Sequence, residues 1–67
     1  MLKYSVLIQY DGRDNIYVAS IPELQGCMAH GNTPEDAISE IKIAAELWIE
    51  TAKEGGINIP QPMMYVS

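Results

Sequence analysis

Hydrophobic and polar residues alternate at the start of the chain. The even positions from Leu2 to Tyr10 are apolar, and most of the odd positions between them are polar. A period of two is typical of a β-strand that buries one face. The next four residues, 11–14, read Asp-Gly-Arg-Asp and predict a turn. We expect Gly12 to take a positive φ there and the aspartates to accept hydrogen bonds from nearby backbone amides.

Two further strands are predicted before the middle of the chain. Residues 15–21 form the second arm of a hairpin, which ends before Pro22 because proline cannot donate a hydrogen bond to a neighbouring strand. Apolar residues occupy both even and odd positions in this arm and would therefore lie on both faces of the strand. We expect this strand nearer the centre of the sheet. The segment 27–30 is long enough only for a short third strand. This strand and the last strand of the chain both risk leaving unpaired amides at a sheet edge, which is a second route to association beside the helix.

Several signals mark the start and end of one long helix. The Thr33 side chain can accept a hydrogen bond from the Asp36 amide, and Pro34 suits the first helical position, where no N–H is needed. We expect the helix to run to about Glu54, where the glycine pair 55–56 offers a left-handed cap.

One apolar stripe along this helix can cover the sheet. Its residues recur at spacings of three and four: Ile38, Ile41, Ala45, Trp48 and Ala52. After the helix, prolines favour extended backbone, and a last strand is expected over residues 63–66. The predicted order is β-β-β-α-β, an α+β fold with a small antiparallel-type sheet and one helix packed on one face, in a single domain of residues 1–67.

Length, charge and cysteine content narrow the possible functions. A chain of 67 residues buries only about 60% of its unfolded surface, so we expect a homodimer or higher homo-oligomer to support it. Nine acidic and four basic residues give a charge of -5, which disfavours direct nucleic-acid binding and favours a basic protein partner. One unpaired cysteine, the absence of a secretory leader and the absence of a long apolar run indicate a cytoplasmic protein without a membrane span.

The order of the predicted elements and the sequence motifs that connect them resemble the HicB-like antitoxin family. The matching segments are YSVLIQYDG at 4–12, YVASIPELQGCMAHGNTPEDAI at 17–38, AAELWIE at 44–50 and GINIPQP at 56–62. The resemblance implies a partial ribonuclease-H-like fold. It also implies a partner, a small basic HicA-type toxin that cleaves RNA and is silenced when the antitoxin covers its active surface. Many family members carry a carboxy-terminal DNA-binding domain that represses their operon. This chain ends without one, so we do not expect repression by it alone.

The helix carries a candidate interface opposite its apolar stripe. At 100° per residue, two large apolar residues and four acids fall in one sector: Asp36, Glu40, Ile43, Leu47, Glu50 and Glu54. An apolar centre with an acidic rim suits a basic partner or a second copy of the chain. Exposed apolar residues are also common on ordinary surfaces.

Catalysis has few candidates. Asp11, Asp14 and Glu23 could bind divalent metal in a nuclease, but turn chemistry explains the aspartates without any metal, and we favour that explanation. Cys27 and His30 form a C-x-x-H pair, yet alternation places them on opposite sheet faces and a structural zinc ion needs four ligands. We therefore expect no catalytic residue, no metal and no cofactor. A metal-dependent nuclease and a solitary structural homo-oligomer remain the alternative functions.

Overall fold

The computed structural model describes residues 4–60. In this range the chain forms three strands and one helix: β1 (Leu7–Asp11), β2 (Ile16–Ser20), β3 (Met28–Gly31) and α1 (Pro34–Glu54). The strands are antiparallel in the order β1-β2-β3, so the described part has the predicted α+β arrangement with the second strand at the centre. The strand expected at residues 63–66 lies outside the described residues.

β1 begins later than the alternation predicts. Pairing starts at Leu7, which lies opposite Ser20, the last residue of β2. Just before it, the Ser5 amide donates to the two carboxylate oxygens of Glu23, at 3.2 and 3.1 Å, rather than to a strand. A strand can extend only as far as its neighbour does, and this explains the shorter ladder. The predicted alternation is nevertheless confirmed at positions 4–8, where Tyr4, Val6 and Ile8 are half-buried.

The β1–β2 turn differs from the prediction in one residue. Asn15, not Gly12, has the positive φ, at 53°, and asparagine tolerates that conformation better than most residues. The Asp11 carboxylate accepts the Arg13 amide at 2.9 Å, as expected. Tyr10, predicted on the buried face, is 57% exposed, and its hydroxyl donates to the Asn15 side chain at this outer end of the sheet.

The ends of α1 follow the sequence signals. The Asp36 amide donates to Oγ1 of Thr33 at 3.1 Å, and Pro34 occupies the first helical position. At the other end Gly56 has φ 69°, and the Ile57 amide donates to the Ala52 carbonyl at 2.8 Å. Both predicted caps are confirmed, because each depends on residues that are close in sequence.

The core lies between the sheet and α1. Ile38, predicted to be buried, is 37% exposed, and its neighbour Ala37 is fully buried instead. The first helical turn packs directly on the backbone of Gly31, and this close approach is consistent with Ala37 as the buried residue. Trp48 packs against the core as expected, and its Nε1 donates to the Gln25 carbonyl at 2.9 Å. The buried cluster consists of Ala19, Ile21, Leu24, Cys27, Ala37, Ile41 and Ala45.

The length and hydropathy of the helix bear on whether it could cross a membrane. Within residues 4–60, no helix has both the length and the apolar content that a membrane crossing requires.

Candidate protein-binding groove

One flank of α1 and the outer edge of β3 enclose an open groove of about 670 Å³. We call this the β3–α1 groove. Its wall on the helix side comes from Asp36, Ser39, Glu40, Ile43, Ala44 and Leu47, and its other wall comes from residues 28–32. The groove exists because α1 lies over the sheet while β3 is the last strand on that side.

The centre of the helix wall is apolar. Ile43 is 53% exposed and Leu47 is 58% exposed, although both are large aliphatic side chains. They point away from the stripe of Ile41 and Ala45 that packs on the sheet. A fourth strand next to β3 would cover them, but none lies there among residues 4–60. The molecule therefore presents apolar area beside a strand edge.

The charged residues of the groove are acidic. Asp36 and Glu40 line it together with Ile43 and Leu47, so four of the six residues of the predicted interface meet at one site. The groove lining includes no lysine or arginine. Glu50 and Glu54 are exposed on the same helix but do not line the groove. The acidic rim is thus concentrated near the amino-terminal half of α1.

The strand side of the groove was not predicted as part of the interface. Met28 is 62% exposed, and His30 is also exposed. Their alternation with Cys27 and Ala29, which face the core, was readable from the sequence. The sequence also indicated that the short third strand lies at a sheet edge, but not that this edge lies beside the exposed apolar residues of α1, because that placement depends on contacts between distant parts of the chain.

The acids proposed for a nuclease do not converge in the described part of the chain. Asp11 accepts the Arg13 amide within its own turn, and Glu23 accepts the Ser5 amide in the connection between β2 and β3. No group of three acidic, histidine or cysteine side chains in residues 4–60 is arranged to hold a metal ion. Paired metal ions need carboxylates that meet from neighbouring elements.

Cys27 and His30 lie in different environments. Cys27 is 4% exposed and belongs to the core cluster, as the sequence predicted, whereas His30 is exposed. Burial raises the pKa of the Cys27 thiol. A thiol kept protonated inside the core is a poor nucleophile and a poor metal ligand.

Comparison with known proteins decides the family. The model of a HicB-like antitoxin of a bacterial toxin-antitoxin system matches residues 4–65, nearly the whole chain. The chain belongs to the HicB-like antitoxin family. This membership supports an antitoxin role and implies a toxin partner.

Two relatives of this HicB-like chain are named as UPF0150 proteins. A UPF0150 protein of Synechocystis sp. is 37% identical over 59 residues, which cover 88% of this chain and 80% of that protein. A UPF0150 protein of Thermoplasma acidophilum is 38% identical over 60 residues, which cover 90% of this chain and 86% of that protein. No solved structure matches significantly.

Proposed function

We propose that this chain is a cytoplasmic antitoxin, not an enzyme, and that it neutralises a small basic RNA-cleaving toxin of the HicA type. The toxin docks on the β3–α1 groove, and the bound antitoxin then covers the toxin's active surface. Family membership supports the antitoxin role. The observation that carries the choice of surface is the pair Ile43 and Leu47, both more than half exposed beside an acidic rim.

The groove has the composition of a protein interface. Fully buried centres of interfaces are apolar, and the polar rim around them sets orientation. Here Ile43 and Leu47 form the centre, and Asp36 and Glu40 form the rim. A basic toxin surface would be attracted to those carboxylates and steered onto the apolar centre. An enzyme that binds RNA needs a cationic surface, so an antitoxin that neutralises this surface also excludes the substrate.

Self-association is a separate part of the proposal. The chain is short, and its described core consists mainly of small and medium side chains. Small domains without disulfides or metals commonly gain stability by forming oligomers. Sedimentation over a range of protein concentrations tests this part, and a strict monomer would contradict it.

The test of the function uses a purified HicA-type toxin, the small basic ribonuclease that the proposal assigns as the partner. The purified antitoxin should abolish its ribonuclease activity at micromolar concentration. Leu47→Lys should raise the concentration needed by about 30-fold, as expected when an apolar interface anchor is lost. The matched control is Leu7→Lys, because Leu7 is also exposed, at 48%, and lies on the sheet face away from α1.

The two variants test the antitoxin role and the choice of the β3–α1 groove separately. They have the same net charge and the same type of substitution, so only location differs. A ribonuclease that stays fully active with the wild-type chain refutes the antitoxin role. Equal effects of Leu47→Lys and Leu7→Lys refute the groove but leave the role intact. Self-association combined with no effect on the ribonuclease would favour a solitary homo-oligomer.

A further inference from the structure

β3 is an outer strand with backbone groups directed away from the sheet. In the part of the chain that the structure describes, it pairs with β2 alone. The Ile21 amide donates to the Cys27 carbonyl at 3.1 Å, which fixes the phase of that ladder. Because hydrogen-bonded and non-hydrogen-bonded pairs alternate, Ala29 also turns its backbone groups towards β2. The amide and carbonyl groups of Met28 and His30 therefore point outward.

This edge lacks most of the usual protection against strand pairing. Natural sheets guard their edges with lysine, proline, bulges or a covering segment. β3 reads Met-Ala-His-Gly and contains neither lysine nor proline. Its main protection is its length of four residues. Among residues 4–60 no further strand pairs with this edge, so an extended segment from another protein would meet its outward donors and acceptors.

The β3–α1 groove has room and side chains for such a segment. An added strand would lie about 4.8 Å from β3, below the exposed flank of α1. Alternate side chains of that strand would point towards Ile43 and Leu47. Long basic side chains suit this position, because their stems can lie on apolar surface while their charged ends reach Asp36 and Glu40.

We infer that the β3–α1 groove binds a basic, extended segment of the partner protein, which adds to β3 as a new strand. The inference deepens the proposed function, on which the identity of the partner rests. Backbone hydrogen bonds to Met28 and His30 provide affinity that does not depend on sequence. Lysine or arginine at every second position provides selectivity through the acidic flank.

Charge decides between a basic partner and a second copy of this chain. Each copy carries a net charge of -5, and its groove lining contains two carboxylates and no lysine or arginine. Pairing two β3 edges would bring both acidic flanks to one interface without cations between them. Like charges at an interface oppose binding. A cationic strand removes this repulsion and replaces it with attraction.

A synthetic peptide tests the inference without any toxin. The peptide acetyl-Lys-Val-Lys-Val-Lys-Val-Lys-amide has the required alternation and charge, and a control peptide has proline in place of each valine. Nuclear magnetic resonance of the ¹⁵N-labelled chain follows both titrations. At saturation with the valine peptide, exchange of the Met28 and His30 amide hydrogens with solvent should slow by about tenfold or more, as expected for new hydrogen bonds. The proline peptide should give no such protection.

Two proline variants test the edge from the protein side. His30→Pro removes an outward N–H without removing a β2–β3 hydrogen bond, and it should weaken peptide binding about tenfold. Tyr10→Pro is the matched control, since the same alternation directs the Tyr10 N–H away from β2 on the opposite edge. Its peptide affinity should equal that of the wild-type chain. If a variant does not fold, hydrogen exchange in the wild-type chain decides alone.

Three results would overturn the inference: no binding at millimolar peptide, binding without protection of the Met28 and His30 amides, or equal binding by the folded His30→Pro variant. Protection of these amides that grows with protein concentration in the absence of peptide would assign the edge to a second copy instead. Toxin inhibition is measured separately. Inhibition without amide protection in the complex refutes only the strand addition, and peptide addition without toxin inhibition refutes only the antitoxin role.

Discussion

The backbone of Gly31 lies directly against the amide of Ala37, where the end of β3 meets the first turn of α1. A Cβ atom built on Gly31 would come within 2.5 Å of the Ala37 nitrogen and within 2.7 Å of the Asp36 carbonyl carbon. Both neighbours are backbone atoms of a helix and cannot move as a flexible side chain would. This contact holds α1 close to the edge strand, and Gly31 and Asp36 both line the β3–α1 groove.

We predict that Gly31→Ala destabilises the fold by about 1–3 kcal/mol through overpacking. Gly12→Ala is the control, because the nearest atom to its Cβ would be 3.7 Å away and its backbone needs no positive φ. That control should leave stability unchanged or raise it by about 0.5 kcal/mol. Urea unfolding measures both. A Gly31→Ala variant as stable as Gly12→Ala would show that the helix can lift off β3 without cost.

The helix cap at Thr33 gives a second stability prediction. Thr33→Ala removes the acceptor of the Asp36 amide and should lower the free energy of unfolding by about 1 kcal/mol. Thr51→Ala is the comparison, since Thr51 is exposed in the interior of the same helix, where alanine is the better helix former. Thermal unfolding should therefore separate the two variants in opposite directions. Equal losses of stability in the two variants would show that the Thr33 cap does not stabilise the helix.

Cys27 predicts a dependence of stability on pH. Burial raises the pKa of its thiol, so the folded chain holds this proton at pH values where the unfolded chain releases it. The stabilising contribution is complete below the ordinary thiol pKa and is lost as pH rises above it. Cys27→Ala lacks this contribution. The difference in unfolding free energy between the wild type and Cys27→Ala should consequently shrink as the pH rises above the ordinary thiol pKa of about 8.5. A constant difference would contradict a buried, neutral thiol.

Local chemistry accounts for the features that could be predicted from the sequence. Thr33, Pro34 and Asp36 start the helix through contacts within four residues, and Gly56 ends it in the same way. The start of β1 could not be read so precisely. The alternation continues before Leu7, but the ladder begins only where β2 supplies a partner, and that limit lies outside the segment itself.

The same distinction between local and long-range determinants applies to the candidate site. Ile43 and Leu47 were found from their angular position on a helix, which depends on spacing alone. Met28 and His30 complete the groove only because β3 is an edge and α1 lies beside it. Ile38 was wrongly placed in the core. Spacing alone allows either Ala37 or Ile38 on the stripe with Ile41, and the close approach of the helix to Gly31 is consistent with Ala37 as the buried one.

The central claim is that the acidic flank along β3, and not acidity in general, binds the cationic toxin. Glu40 and Glu46 are both exposed glutamates on α1, but only Glu40 lines the β3–α1 groove. Calorimetric titration of the toxin into Glu40→Lys and Glu46→Lys tests this claim most directly, because the two proteins have equal net charge. We predict about tenfold weaker binding for Glu40→Lys and near wild-type affinity for Glu46→Lys. Equal affinity of the two variants for the toxin would contradict the claim.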